Sequence, residues 1–388
     1  MSVAGNQQRV FLQLLARLRP HWHRDVSLPA RIQQLLAAHR SFGSRDRRLY
    51  RELIYTTVRF LPWIEPLLDS QPEETVRRVA WLSAETPATH AFRAAFAAGD
   101  PPRGDQTELL PVWFRSHCAR LFAGEELAAQ LRRAPLWLRL QTADPAHVFA
   151  EFDALGWTWR RASASPSAVG VLGEVDVSST YSWRTGKIEV QDLGSQLILS
   201  AVGVNPGGHW LDACAGAGGK TLQLARLVGG SGQVDAHDVR PAALAELRTR
   251  VSRAGIKHVR TCTAPGTDRY DGVLVDAPCS GTGTWRRAPH LKWVTTDAHI
   301  ARAAQTQAAL LRQFAAQVKP GGQLVYATCS LSGQENLDVV AAFLAEHREF
   351  HAEPFANTFG FEPDGAGLTI WPARHDSDGF FVASLRRQ

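Results

Sequence analysis

No stretch of this 388-residue chain approaches the ~18 to 20 consecutive apolar residues of a membrane-spanning helix. The start also makes a poor secretory signal. Phe11 to Leu18 is short, is broken by Gln13 and Arg17, and has no basic segment before it and no small-residue cleavage site. Cysteine is sparse. Cys118, Cys214, Cys262, Cys279 and Cys329 form no Cys-x-x-Cys pair, which excludes a small disulfide framework and offers no cluster for structural zinc. Free thiols in a reducing, cytoplasmic setting are expected, with no metal. Lysine is absent from the first sixty residues, yet that segment holds eleven arginines against Asp25, Asp46 and Glu52. The segment carries +8 where the whole chain carries +6, so the remainder is slightly acidic at −2. Such asymmetry fits a nucleic-acid footprint, and equally an arginine-rich solvated helix face. With 45% hydrophobic residues, the chain can build sizeable cores and is not globally disordered.

The first ~125 residues read as helical. Phe11, Leu14, Leu15 and Leu18 keep the i, i+3, i+4, i+7 spacing, as do Tyr50, Leu53, Ile54, Thr57, Val58 and Leu61. Arg45, Arg47, Arg48 and Arg51 crowd the start of that second helix, residues 99–104 mark a loop, and a further helix is expected from Pro111 to Arg133. From Pro135 the texture changes to a small α+β unit, with Leu136 to Leu140 alternating as a strand, Ala146 to Leu155 helical, and Ala168 to Leu172 and Glu174 to Ser178 extended. Strand–helix alternation follows. Strands are expected at His209–Ala213, Gln233–His237, His258–Cys262, Asp271–Val275 and Gln323–Thr328, and helices at Lys220–Val228, Pro241–Ala254 and Ala301–Val318. This pattern predicts a mostly parallel α/β sheet whose ligand lies beyond the carboxyl ends of its strands.

One such end carries a glycine-rich turn, Leu211 to Thr221, running from strand to helix. A phosphate-binding P-loop needs glycine where Cys214 stands, and a dinucleotide turn needs a third small residue where Thr221 stands. A methyl-donor site needs only the tight turn plus an acid on the next strand for the ribose hydroxyls, and Asp238 is placed to be that acid. A tight turn of purely structural value remains open on these residues alone. Two further strand ends carry thiols: Asp276-Ala277-Pro278-Cys279-Ser280-Gly281-Thr282-Gly283 and Tyr326-Ala327-Thr328-Cys329-Ser330. Neighbouring strand tips line one crevice, so both thiols and Asp276 are expected to face one ligand. A cysteine pair suits methylation of carbon 5 of cytosine. A thiolate added to carbon 6 makes carbon 5 nucleophilic, and a second thiol with a carboxylate can assist proton removal and thiol release.

On these motifs the chain resembles the Sun/RsmB family of RNA cytosine-5 methyltransferases, most closely its bacterial 16S rRNA members with an N-terminal NusB-like domain. The resemblance extends to Val190-Gln191-Asp192 with Ser195-Gln196, to Glu335-Asn336, and to Trp371-Pro372 with Asp378-Gly379-Phe380-Phe381. Pro135 to Arg139 resembles the opening of the family's RNA-recognition subdomain, and Ser44 to Leu68 its helical NusB-like domain. It implies an all-α NusB-like domain over 1–125, an α+β RNA-recognition subdomain over 126–188 and a Rossmann-like S-adenosylmethionine-dependent methyltransferase domain over 189–388. It further implies Cys329 as nucleophile, Cys279 as the residue that helps release product, and Asp276 at the base or methyl donor. Cys214, Ala215, Gly216, Ala217, Gly218, Gly219, Lys220 and Asp238 would hold S-adenosylmethionine. DNA cytosine methyltransferases use the proline–cysteine thiol as nucleophile, whereas this chain has the RNA-type pair.

The chain departs from the family pattern at Ala217, where proline is usual, and at Gly216, where alanine is common; both should loosen the turn. A further acid after the third strand is missing between Thr261 and Thr267, and the loop there looks short. Arg286, Arg287, Lys292 and Trp293 form a basic-aromatic stretch suited to RNA backbone and stacking. Gln191, Asp192 and Ser195 are expected to cap a helix and position a loop. The expected partner is RNA, most simply small-subunit rRNA, acted on by a monomer. A tRNA cytosine-5 methyltransferase and a catalytically weakened RNA-binding ribosome-assembly factor are the alternatives.

Overall fold

The computed structural model describes residues 2–264 and 269–388, which group into two compact units. One unit comprises Met1–Arg132 together with Trp285–Thr295. Its helices Val3–Leu18, Leu28–Ala38, Ser44–Arg59, Pro72–Leu82 and His90–Phe96 bury the apolar stripes that their spacing dictates. Phe11, Leu14, Leu15 and Leu18 pack with Leu53, Ile54 and Val58 in one core. The helix expected from Pro111 to Arg133 is instead broken. Short 3₁₀ turns at Val112–Ser116 and Ala119–Phe122 precede a helix at Gly124–Gln130. Gly124 adopts φ +54°, and Cys118 has extended-side angles (φ −157°, ψ 82°), so neither can continue a preceding helix.

Trp285–Thr295 follows the Cys279 motif in sequence yet is woven into this helical unit. Lys292 Nζ donates to the Arg59 and Leu109 carbonyls at 2.9 and 3.0 Å, and Trp293 Nε1 donates to the Val58 carbonyl at 2.7 Å. Arg59 Nη1 reciprocates onto the Arg286 carbonyl at 2.8 Å. Arg286 and Lys292 are 0% and 1% exposed. This corrects the reading of the stretch as an RNA-binding loop: of its cations only Arg287 stands exposed.

The second unit comprises Arg133–Thr284 and Thr296–Gln388. Its first part is a four-stranded antiparallel sheet of β1 (Leu136–Leu140), β2 (Thr158–Ala162), β3 (Ser165–Leu172) and β4 (Ile188–Val190), in the order β2-β3-β1-β4. Beyond β3 the extended reading of Glu174 to Ser178 gives way to a 3₁₀ turn at Val177–Ser179, because the Asp176 carboxylate accepts from the Ser178 N–H at 3.0 Å. The larger sheet has a parallel centre. It comprises β5 (His209–Asp212), β6 (Gln233–His237), β7 (Val259–Cys262), β8 (Tyr270–Asp276) and β9 (Val318–Thr328), in the order β7-β6-β5-β8-β9. Past β9 the sheet turns antiparallel through β10 (Phe350–Ala352), β11 (Pro363–Asp364), β12 (Gly367–Ile370) and β13 (Phe380–Arg387), with β13 beside β9. Strand order reverses at β5, whose neighbours are β6 and β8, so the crevice at its carboxyl end is the ligand position of an open α/β sheet.

Candidate functional site

β5 ends at Asp212, and the glycine-rich turn leads from it into helix Gly219–Val228. Gly218 is required twice over. Its φ is +92°, and a Cβ there would lie 2.1 Å from the Leu247 side chain. Although Ala217 stands where the resemblance leads one to expect a proline, buried Arg139 and half-buried Arg250 clamp the turn. Arg250 Nη1 donates to the Ala217 carbonyl at 2.7 Å, and Arg139 Nη2 donates to the Gly219 carbonyl at 3.3 Å. Arg250 is itself fixed by Glu189, a fully buried carboxylate on β4 that takes Arg250 Nη2 at 2.9 Å and Arg253 Nη2 at 2.6 Å. The loosening expected from Ala217 is thus offset by charge-assisted bonds from the small sheet and from helix Pro241–Arg253.

Asp238 follows β6 and closes the same turn. Its Oδ2 accepts the Gly216 N–H at 2.9 Å, and both oxygens receive the Arg240 guanidinium at 3.0 Å. Those bonds, led by Arg240, hold the carboxyl down at about 2 despite its burial. At the foot of the turn Thr221 Oγ1 donates to Asp212 Oδ2 at 2.7 Å, and burial pushes the Asp212 carboxyl up to about 7. The Cys214 thiol is driven up chiefly by burial and then by the charges of Asp212, Asp276 and Asp238. The stretch expected to lack an acid runs into residues 265–268, which lie outside the described residues.

The two thiols meet. Parallel pairing aligns Asp276 on β8 with Ala327 on β9, which brings the two following loops together and leaves Cys279 Sγ 3.1 Å from Cys329 Sγ. Both cysteines are free and half-buried. The hydrogen bond to Cys329, burial and the negative charges of Cys329 and Glu335 together lift the Cys279 thiol well above its ordinary value. Lys220 Nζ, from the turn, donates to Asp276 Oδ2 at 2.8 Å. Burial works against the Lys220 charge, but Asp276 outweighs it and the ammonium stays above its ordinary value. Gly283 packs against the carboxyl-terminal motif: its N–H donates to the Cys329 carbonyl at 2.9 Å, and a Cβ would lie 2.1 Å from the Gly379 oxygen.

Asp276, Cys279, Cys329 and Lys220 therefore share one crevice, and Asp238 lies against Gly216 on the turn that supplies Lys220. Asp192 caps helix Leu193–Val202 through the Gly194 N–H at 2.8 Å, and Gln191 Oε1 accepts from Arg139 Nε at 2.6 Å, matching the structural roles expected of them. Glu189 and Arg250 were not singled out in the sequence, and Arg139 was named only as the end of the Pro135 to Arg139 motif. The one available signal was an acid, Glu189, set between Ile188 and Val190 in an apolar strand.

A family profile described as 16S rRNA methyltransferase RsmB/F matches residues 200–386. The probable ribosomal RNA small subunit methyltransferase B of Bacillus subtilis (strain 168) is 32% identical over 314 residues, covering 75% of this chain and 70% of the relative. Among solved structures, PH0851 superposes with a TM-score of 0.76 at 23% identity over 100% of both chains. NSun6 from Pyrococcus horikoshii, crystallised with SFG, superposes with a TM-score of 0.64 at 18% identity, over 74% of this chain and 98% of that one.

Proposed function

The chain belongs to the RsmB/F family of ribosomal RNA methyltransferases, and from that membership we propose that it transfers a methyl group from S-adenosylmethionine to carbon 5 of a cytosine in small-subunit rRNA. The observation that carries the proposal is the 3.1 Å approach of Cys279 and Cys329 beside Asp276. A thiol pair has no use in methylating an amino group or a ribose hydroxyl. It has a specific use at carbon 5 of a pyrimidine, where one thiol must add and later leave.

The glycine-rich turn fits S-adenosylmethionine. Gly219 has open space where a side chain would stand, the first N–H groups of helix Gly219–Val228 have no partners within the helix, and Asp238 is an ionised acceptor beside them. In this reading Cys214, Ala215, Gly216, Ala217, Gly218, Gly219 and Lys220 hold the donor, and Asp238 takes the ribose hydroxyls in competition with the exposed Arg240. The donor supplies an electrophilic methyl group.

The protein's own residues do the rest. Cys329 adds to carbon 6 of the flipped or unpaired cytosine, and carbon 5 becomes the nucleophile. Cys279 keeps its proton at this stage, held chiefly by the hydrogen bond to Cys329 and by burial. Once bonded to carbon 6, Cys329 is a neutral thioether. The hydrogen bond and the charge that held the Cys279 proton are then gone, so Cys279 releases that proton to solvent and, as a thiolate, takes the proton from carbon 5. Loss of that proton expels Cys329. Asp276, steered by Lys220, lies at the base or the methyl donor.

The three-part division into a NusB-like domain (1–125), an RNA-recognition subdomain (126–188) and a methyltransferase domain (189–388) belongs to the same proposal. The helical build of the first segment, its arginines and the four-stranded sheet at 136–190 support it. The test is to incubate the enzyme with small-subunit rRNA and labelled methyl donor, digest the RNA and separate the nucleosides. Label in 5-methylcytidine is expected; label in any other nucleoside contradicts the proposal.

A further inference from the structure

Glu335 is a fully buried carboxylate with no part in the chemistry of the two thiols as described. It ends the 3₁₀ turn Gly333–Glu335, just after β9. Four donors converge on it, all of them neutral. Oε1 accepts the Ser280 N–H at 2.8 Å and Gln307 Nε2 at 3.0 Å, while Oε2 accepts Ser330 Oγ at 2.6 Å and the Ser280 hydroxyl. Ser280 directly follows Cys279, and Ser330 directly follows Cys329. One carboxylate thus grips the residue after each thiol. Gln307 extends the grip to the other side of Cys279 by donating to the Pro278 carbonyl at 3.0 Å. Asn336 does the same behind Cys329, donating to the Ser330 carbonyl at 2.9 Å and accepting from Thr328 Oγ1 at 2.7 Å.

Burying a carboxylate without a cation costs several kcal/mol unless its lone pairs are met. With both Glu335 oxygens met twice over, the carboxylate is held rigidly, because any shift of either loop strands a buried donor or acceptor. Apolar packing would join two loops at lower cost, but it would not fix their separation to a fraction of an ångström. The thiols need that precision, because one must reach carbon 6 and the other the proton on carbon 5 of the same ring.

We propose that Glu335 is a positioning residue that sets the separation of Cys279 and Cys329 by holding Ser280 and Ser330 on one carboxylate, without itself touching the base or the methyl donor. The assignment rests on the thiol-pair reading for its consequence in catalysis, but not for the geometry. Its charge has a second effect in the same direction, since it contributes to keeping the Cys279 proton in place until Cys329 is committed.

The test uses the full-length enzyme with Glu335→Ala, the isosteric Glu335→Gln, and Ser330→Ala. Diamide serves as probe: it removes two electrons and two protons from adjacent thiols, joining them as a disulfide while it is reduced to the hydrazine. In folded Glu335→Ala, the Cys279–Cys329 disulfide should form at least ~10-fold more slowly than in the wild type, and kcat should fall by about 100-fold. The affinity for S-adenosylmethionine should stay within about threefold, because the turn and Asp238 are untouched. If Glu335→Ala does not fold, Glu335→Gln and Ser330→Ala carry the test, with smaller losses in the same two readouts. A folded variant of Glu335 with wild-type disulfide rate and wild-type kcat overturns the proposal. Slower disulfide formation in an enzyme whose Cys329→Ala form stays fully active would sustain the positioning role and sink the thiol-pair chemistry instead.

Discussion

Cys279 and Cys329, fifty residues apart in sequence, place their sulfur atoms 3.1 Å apart because Asp276 and Ala327 pair in register on adjacent parallel strands. This is closer than two sulfurs approach in ordinary packing and longer than a disulfide bond. The two free thiols are therefore in direct contact, and either sulfur can be the donor between them.

Asp238→Ala should weaken S-adenosylmethionine binding by ~1.5 to 3 kcal/mol while the protein stays folded, the scale of hydrogen bonds lost from a charged acceptor. Arg240→Ala should leave affinity unchanged or raise it, since the guanidinium competes for the same oxygens. Because the carboxyl is held down at about 2, this contribution persists to about pH 4 and is lost only as pH falls through the folded value. Calorimetric titration checks all three points. Unchanged affinity in folded Asp238→Ala would remove the ribose assignment.

Arg250→Met should loosen the glycine-rich turn. The Ala217 carbonyl loses its donor, and buried Glu189 keeps only Arg253. A loss of about 1 to 3 kcal/mol in methyl-donor affinity is expected, with stability falling by a similar amount. Affinity equal to the wild type would show that the turn holds its shape without the clamp.

Lys292→Met tests the buried lysine of the helical unit. Burial, and then the Arg59 charge, push its ammonium well below the ordinary 10.5. The folded value lies below the unfolded one, so the unfolded chain binds the proton more tightly, and stability should rise with pH between the depressed value and 10.5. The variant should lose that rise, and should lose about 1 to 3 kcal/mol at high pH because the Arg59 and Leu109 carbonyls are left unmet. Thermal unfolding across the pH range measures both. A wild-type slope in the variant would contradict the assignment.

Arg45, Arg48 and Arg51 stand exposed at the start of helix Ser44–Arg59. Replacing all three with alanine should weaken RNA binding and flatten its dependence on salt by about 0.7 to 0.9 for each phosphate no longer neutralised. Point substitution is preferable to deleting residues 1–125, because the deletion would strip the partners of fully buried Trp285, Arg286 and Lys292. An unchanged salt slope would make the arginines a solvated face.

What could be read from the sequence was what one strand or helix carries by itself. The apolar stripe of Phe11, Leu14, Leu15 and Leu18, the alternation of strands and helices along the chain and the motifs at the strand tips all follow from local spacing, whereas the order of the strands in the sheet was not read from the sequence. That Asp276, Cys279 and Cys329 share a crevice follows from the rule that strand ends line one edge. The Glu189–Arg250 clamp did not follow, since it joins an edge of the small sheet to a helix 61 residues later. Lys292 misled for a physical reason: three cations beside a tryptophan look solvated, and only the carbonyls of Arg59 and Leu109 explain a buried ammonium. Glu335 was visible as part of a motif, but its role depends on serines that meet only in the folded sheet.

The division of labour between the two thiols is the central claim, and covalent trapping on RNA tests it most directly. Each alanine variant is incubated with substrate RNA and S-adenosylmethionine, then run on a denaturing gel. Cys279→Ala should attack and transfer the methyl but stall before release, giving methylated RNA bound through Cys329 as a slow-moving band. Cys329→Ala should give neither product nor band. A band from Cys329→Ala and none from Cys279→Ala would exchange the two roles, and full activity in both variants would contradict the covalent mechanism altogether.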